Sequence, residues 1–171
     1  MKQLRILAAL AAVALIAAGV FVYFEKPLAP EVSFTILQGG KADTVRLDTA
    51  SLRGKVTLVS FWATTCSTCI EEMPDLADTY KKFAERGLDI IAVAMEYDPE
   101  PQVRAYAEKA ALPFKVALDR DGEVALNFQG VRMTPTAFLI DRQGRIVHKY
   151  LGKPDFGALH ALLEKLLAES A

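Results

Sequence analysis

Cys66 and Cys69 are the only two thiols in a chain of 171 residues, and they fall three positions apart in the stretch FWATTCSTCIEEMP. On a helix that spacing puts two side chains on one face with about 5–6 Å between Cβ atoms, and a disulfide needs roughly 3.5–4.5 Å. A small adjustment of one helical turn closes or opens the bond. The pair can therefore alternate between dithiol and disulfide without wider refolding. A purely structural bridge is the plainer reading, but a loop so short constrains little of the unfolded chain. Zinc is the other competitor, because Cys-X-X-Cys supplies half of a tetrahedral site. The second half is missing: the only histidines, His148 and His160, stand twelve apart, outside His-X3-5-His spacing. No metal ligand is assigned, and the redox reading leads.

The elements around the pair give it a position. KVTLVSFWA, residues 55–63, is a nearly continuous apolar run of β-branched and aromatic residues, the pattern of a central strand covered on both faces. After the cysteines, Ile70, Met73, Ala77, Tyr80 and Ala84 recur at helical spacing until Gly87, with Pro74 expected to kink the helix. Strand, cysteines, helix: that order seats Cys66 at a helix N-terminus, where unpaired N–H groups and the helix dipole favour negative charge. Thiols so placed ionise at about 3.5–7.5 instead of about 8.5. Cys66 is then the nucleophile and Cys69, one turn inside, the shielded resolving thiol. Ser67 and Thr68 between them offer hydroxyls to the helix start.

Along the rest of the chain, SFTIL and DTVRLDTASL read as two strands joined at Gly39-Gly40, and LDIIAVAME repeats the buried-strand pattern. EPQVRAYAEKAA is a second helix, FKVALD a further strand, and GEVALNFQG a short helix or turn. TAFLID and RIVHKYLG form a hairpin about DRQG, and PDFGALHALLEKLLAES closes the chain as an amphipathic helix. This alternation implies an α/β sandwich with a mixed sheet over residues 32–171.

Composition narrows the partners. Apolar residues make up 52% of the chain, ample for a core, and 20 basic against 21 acidic side chains leave no basic stripe to neutralise phosphates, so nucleic acid is not expected. The N-terminus differs in kind. Lys2 and Arg5 precede a run from Ile6 to Phe24 without a charge. Nineteen residues at 1.5 Å span about 28 Å, close to the roughly 30 Å of bilayer hydrocarbon. Residues 1–26 are expected to be an uncleaved single-pass signal anchor, with a cleaved signal peptide as the alternative, and basic residues ahead of the run keep Met1 cytoplasmic. Residues 27–31, around Pro27 and Pro30, read as a stiff linker. The domain would then lie in the periplasm or an equivalent exterior compartment, where disulfides persist.

The motifs SFWATTCSTC…MP and MTPTAFLIDRQGRI resemble the thioredoxin superfamily, specifically the membrane-anchored TlpA/ResA-like thiol-disulfide oxidoreductases, over about residues 30–168. The resemblance implies a thioredoxin-like three-layer sandwich and no cofactor beyond the cysteine pair. It implies that Pro135 is cis and beside the sulfurs and that Thr134 offers backbone hydrogen bonds to a substrate segment; Trp62 itself reads most simply as an aromatic wall of the site, with plain core packing as the alternative. Thioredoxins proper carry a buried aspartate where Ser60 stands. Another carboxylate must then accept the proton of the second thiol: Glu96 by analogy with a glutamate of the ResA-like insert, or Glu72, each weighed against being a solvated surface charge. The implied partners are disulfide-bearing proteins of cytochrome c or copper-centre maturation and a membrane electron donor of the thiol-disulfide type. Two alternatives stand beside this: a copper carrier, whose family uses Cys-X-X-X-Cys with a distant histidine such as His148, and a thiol peroxidase, whose Pro-X-X-X-Thr-X-X-Cys motif is absent here.

Overall fold

A computed structural model describes residues 26–38 and 44–169. The expected anchor, apart from Lys26, and the Gly39-Gly40 turn lie outside the described residues. Among those that are described, no helix is long and apolar enough to cross a membrane.

The strands are β1 (Ser33–Leu37), β2 (Thr44–Asp48), β3 (Val56–Trp62), β4 (Leu88–Ala94), β5 (Lys115–Leu118), β6 (Thr136–Ile140) and β7 (Ile146–Leu151). They form one sheet in the order β2-β1-β5-β4-β3-β6-β7. The β3–β4 and β4–β5 pairs are parallel, whereas β1–β2, β1–β5, β3–β6 and β6–β7 are antiparallel. Helices α1 (Ser67–Phe83), α2 (Glu100–Lys109), α3 (Glu123–Asn127) and α4 (Phe156–Ala168) complete the fold. The mixed sheet matches the sequence reading, and β3 lies inside it with every residue buried, as its continuous apolar run requires.

Strand alternation divides the core in two. Leu58, Trp62, Ile90 and Leu139 face α1, α2 and α4, packing with Met73, Leu76, Val103, Leu159 and Leu163. Val59, Phe61, Ile91 and Phe138 face the other way, where Phe34 and Phe128 join an aromatic cluster with centroids 5.3–6.2 Å apart. Each such side chain contributes about 1.5–3 kcal/mol by leaving water. The third layer of the sandwich is thin: among the described residues this second face is covered by the five-residue α3 and Val131 beyond it, the 3-10 turn Thr49–Leu52 and the N-terminal segment.

Two local expectations change. The buried stripe of α1 runs Cys69, Glu72, Met73, Leu76, Thr79 and Phe83, while Ile70, Ala77 and Tyr80 are only half-buried. The helix continues through Pro74 for nine further residues and finishes near Gly87, whose φ of 103° only glycine adopts without strain. The linker, in turn, is not free. Ala29 N–H donates to Gly144 O (2.8 Å) and Ile146 N–H to Pro27 O (2.8 Å), so the segment extends the edge of β7 as an added strand fragment.

Candidate active site

The cysteines sit where β3 ends and α1 begins. Cys66 is the N-cap of α1: its backbone is extended (φ −92°, ψ 105°), its carbonyl accepts from Ile70 N–H at 3.1 Å, and its sulfur accepts from Cys69 N–H at 3.2 Å. A sulfur thus does what a serine or aspartate oxygen does at most helix starts, and the same N–H would stabilise a thiolate. Cys66 and Cys69 are joined in a disulfide with Cα atoms 5.2 Å apart, inside the usual range. Cys69 is fully buried, whereas Cys66 keeps part of its surface. Ser67 and Thr68 are exposed, and the cap is made by the cysteine itself.

Opposite the sulfurs stands the turn before β6. The Thr134–Pro135 peptide is cis, and Thr134 O lies 3.6 Å from Cys66 Sγ. The flanking carbonyls are engaged: Met133 O accepts from Thr136 Oγ1 (2.8 Å) and Pro135 O from Gly152 N–H (2.8 Å). Met133 itself is exposed, as is Leu151, which pairs across the sheet with Thr136.

The two glutamates part company. Glu96 follows β4, is exposed, and packs against the Gly122 turn. Glu72 lies under the site on the same face of α1 as Cys69 and is 1% exposed, so it is no surface charge. Burial pushes its pKa from 4.5 up to about 7; Lys153 pulls it back, Asp75 adds to the rise, and the Ser60 hydroxyl lowers it slightly. That last interaction is no well-formed hydrogen bond, since Ser60 Oγ and Glu72 Oε2 are both buried without a partner within the protein. Thus Ser60, on β3, leaves room for a carboxylate that arrives from the helix instead. Trp62 is fully buried, packs in a tilted contact with Tyr106 of α2 (ring centroids 5.3 Å apart), and shares a cluster with Cys69. It supports the cysteines from below and offers no surface to a substrate, which corrects the reading of it as a wall.

The Redoxin family model matches residues 25–163. The chain belongs to the Redoxin family. It is 33% identical over 138 residues to the thiol-disulfide oxidoreductase ResA of Bacillus anthracis, covering 81% of this chain and 76% of that one. Among solved structures it is similar to a thiol:disulfide interchange protein of the thioredoxin family from Chlorobium tepidum (TM-score 0.73, 26% identity, 84% of this chain and 98% of that one). It is also similar to the thioredoxin domain of a thiol-disulfide oxidoreductase from Bacteroides vulgatus (TM-score 0.69, 28% identity, 83% and 96%). The resemblance to the ResA/TlpA-like branch of the thioredoxin superfamily is therefore correct. This Redoxin member is a thiol-disulfide oxidoreductase whose redox-active group is its own cysteine pair.

His148, the histidine a copper carrier would need, lies on β7 with its ring 4.3 Å from that of Tyr150, and β6 separates its strand from β3. Among the described residues no cluster of three His, Cys, Asp or Glu side chains is placed to hold a metal ion. Two residues near the site escaped the sequence reading. Lys153 reaches Asp75 at 2.8 Å from the loop after β7, and Asp98 bonds Thr64, 34 positions away. Neither contact leaves a local signal in the chain.

Proposed function

We propose that the protein is an exported, membrane-tethered reductase of disulfides in partner proteins. Cys66, as thiolate at the N-cap, attacks one sulfur of a partner disulfide; a Cys66–partner bond forms and the other partner thiolate leaves. A partner segment lying along the Thr134–Pro135 turn would donate an N–H to the Thr134 carbonyl, the one of three successive carbonyls not already engaged by a backbone or hydroxyl donor. Cys69 then gives its proton to Glu72 and attacks Cys66 Sγ, closing the disulfide and releasing the second partner thiolate. Two electrons pass to the partner, and a membrane dithiol donor restores the pair.

The buried Glu72 beneath Cys69 carries this reading. A carboxyl held near pKa 7 is matched to receive a thiol proton at neutral pH, and it replaces the strand aspartate that Ser60 lacks. The relatives named above are thiol-disulfide oxidoreductases, which supports exchange chemistry. The sequence pattern of residues 1–26 supports the tether and an exterior location, and the resemblance supports partners awaiting haem or copper.

The full chain in detergent should reduce insulin with dithiothreitol as donor, and Cys66→Ser should abolish this. Its reduction potential should lie near the roughly −270 mV of thioredoxin; a value near about −120 mV would mark an oxidant instead. Protease added to intact spheroplasts should remove the domain and spare the cell interior, and survival of the domain would end the export reading. Cys69→Ser expressed in cells should trap partners on Cys66, and cytochrome or copper-centre assembly proteins among them are the expected catch.

A further inference from the structure

The strand next to β3 sends a loop across to the cysteines. Met95, just beyond β4, donates its N–H to the O of Trp62, the last residue of β3 (3.0 Å), which continues the β3–β4 pairing one residue past β4. The chain then turns, with Asp98 N–H on Met95 O (2.9 Å), and Asp98 points back at Thr64. Its carboxylate takes both of Thr64's donors: the backbone N–H on Oδ2 at 2.6 Å and the hydroxyl on Oδ1 at 2.5 Å. Asp98 is 6% exposed, so these bonds form out of water, where charged acceptors hold their donors most firmly. Thr64 is the second residue before Cys66, and Cys66 N–H bonds to Ala63 O (3.1 Å) on its other side. The stretch that delivers the nucleophile to the helix cap is therefore pinned from outside its own strand and helix.

Asp98 stands one position before Pro99, the N-cap of α2. Here α2 has no side-chain cap at its start, and the carboxylate serves the neighbouring loop instead. We propose that Asp98 is a positioning residue for the redox site, acting through Thr64 to hold residues 63–66 in the geometry that the closed Cys66–Cys69 bond requires. This rests on the cysteine pair being redox-active and not on the direction of electron flow.

The consequence has a sign. In the half-reaction the disulfide gains two electrons and two protons and becomes a dithiol, which tolerates a wider range of sulfur separations than the bond does. Releasing the pin destabilises the disulfide more than the dithiol. Removing the Asp98 charge acts the same way, because a negative group near the helix start opposes a Cys66 thiolate.

Equilibrating the full chain in detergent with reduced and oxidised glutathione measures the effect directly. Asp98→Asn removes the charge and leaves one acceptor for two donors; it should move the equilibrium about tenfold toward dithiol, about 30 mV for a two-electron couple. Thr64→Val keeps the carboxylate and the N–H bond while deleting the hydroxyl, and should move it about threefold the same way. Thr64→Ser should return to within about twofold of the parent. Variants that melt earlier while holding the parent equilibrium would reduce Asp98 to a structural strut and overturn the proposal. So would an Asp98→Asn shift toward disulfide. Should Asp98→Asn not fold, the Thr64 pair decides alone: a threefold shift with serine rescue upholds the proposal, and no shift overturns it.

Discussion

Glu72, at the C-terminal end of β3, is treated in the opposite way from the buried carboxylates beyond the N-terminal end. Beyond its N-terminal end, Asp141 is 3% exposed and accepts from Gln143 N–H (3.0 Å), Arg145 N–H (2.9 Å) and Arg145 Nε (2.9 Å). Asp89, at the start of β4 on the same end, is 4% exposed and takes both oxygens to Lys115 Nζ at 2.7 Å. At the C-terminal end Glu72 is as deeply covered, yet one of its oxygens has no partner within the protein and its pKa is pushed up to about 7. A satisfied buried acid is a fixed charge that holds a turn. An unsatisfied one is free to exchange a proton, and the thiols are at that end.

The sharpest test of the contrast is at the sulfurs. Cys66→Ser should bring insulin reduction to background, while Cys69→Ser should keep the first attack and stall as a mixed disulfide visible by mass spectrometry. Melting temperature without reductant should change little in either, since the closed loop is too short to constrain the unfolded chain much.

Glu72→Gln comes next. Turnover at neutral pH should fall by about 10²-fold, the low end for loss of a proton acceptor. Stability supplies a second readout. A carboxyl whose pKa is raised on folding binds its proton more tightly in the native state, so stability is complete below about 4.5 and declines as pH rises towards about 7. The ceiling on that decline is about 3 kcal/mol. The glutamine variant should lack this slope and be the more stable protein at pH 8. Denaturant titrations at pH 5 and 8 give the comparison, and parallel curves for parent and variant would sink the proton-acceptor role.

Asp141→Asn reverses the roles. With a buried charged hydrogen-bond network broken, stability should drop by about 2–3 kcal/mol, while the potential and its pH dependence should match the parent. A shifted potential would mean that the two ends are coupled through the sheet.

What the amino-acid sequence revealed of this contrast follows from the kind of pattern each part leaves. Buried strands such as Val56–Trp62 and Leu88–Ala94 announce themselves as apolar runs, and Cys66, Cys69 and Thr134–Pro135 stand in motifs. Glu72 was undecided because the inward face of α1 carries two polar residues, Glu72 and Thr79, so apolar periodicity placed the stripe about one residue too far along. Thr79 is settled there by bonds to Asp75 O one turn back (2.7 Å) and to His160 Nε2 (2.8 Å), a partner 81 positions away that no local window contains. Trp62 was ambiguous because alternation gives a side chain's face only once the helices are known to lie there. The docking of Pro27–Ala29 on β7 is made by backbone groups, which every residue carries and no composition records. Asp98 leaves no local signal, because only the β3–β4 register brings it to Thr64, 34 positions away.

The smallest predicted effect separates two origins of the Glu72 shift. Burial raises its pKa, and Lys153, held by Asp75 at 2.8 Å, pulls in the other direction from the loop that follows β7. If burial dominates, Lys153→Met should move the pH midpoint of the Glu72-dependent rate upward only modestly, and added salt should move the parent the same way, because the ammonium is exposed and its field is screened. At pH 7 more Glu72 would then carry its proton, and turnover should fall slightly, by less than about twofold. A change as large as that of Glu72→Gln would mean that the lysine, not the burial, sets the proton affinity, and the contrast between the two ends of β3 would reduce to one surface charge.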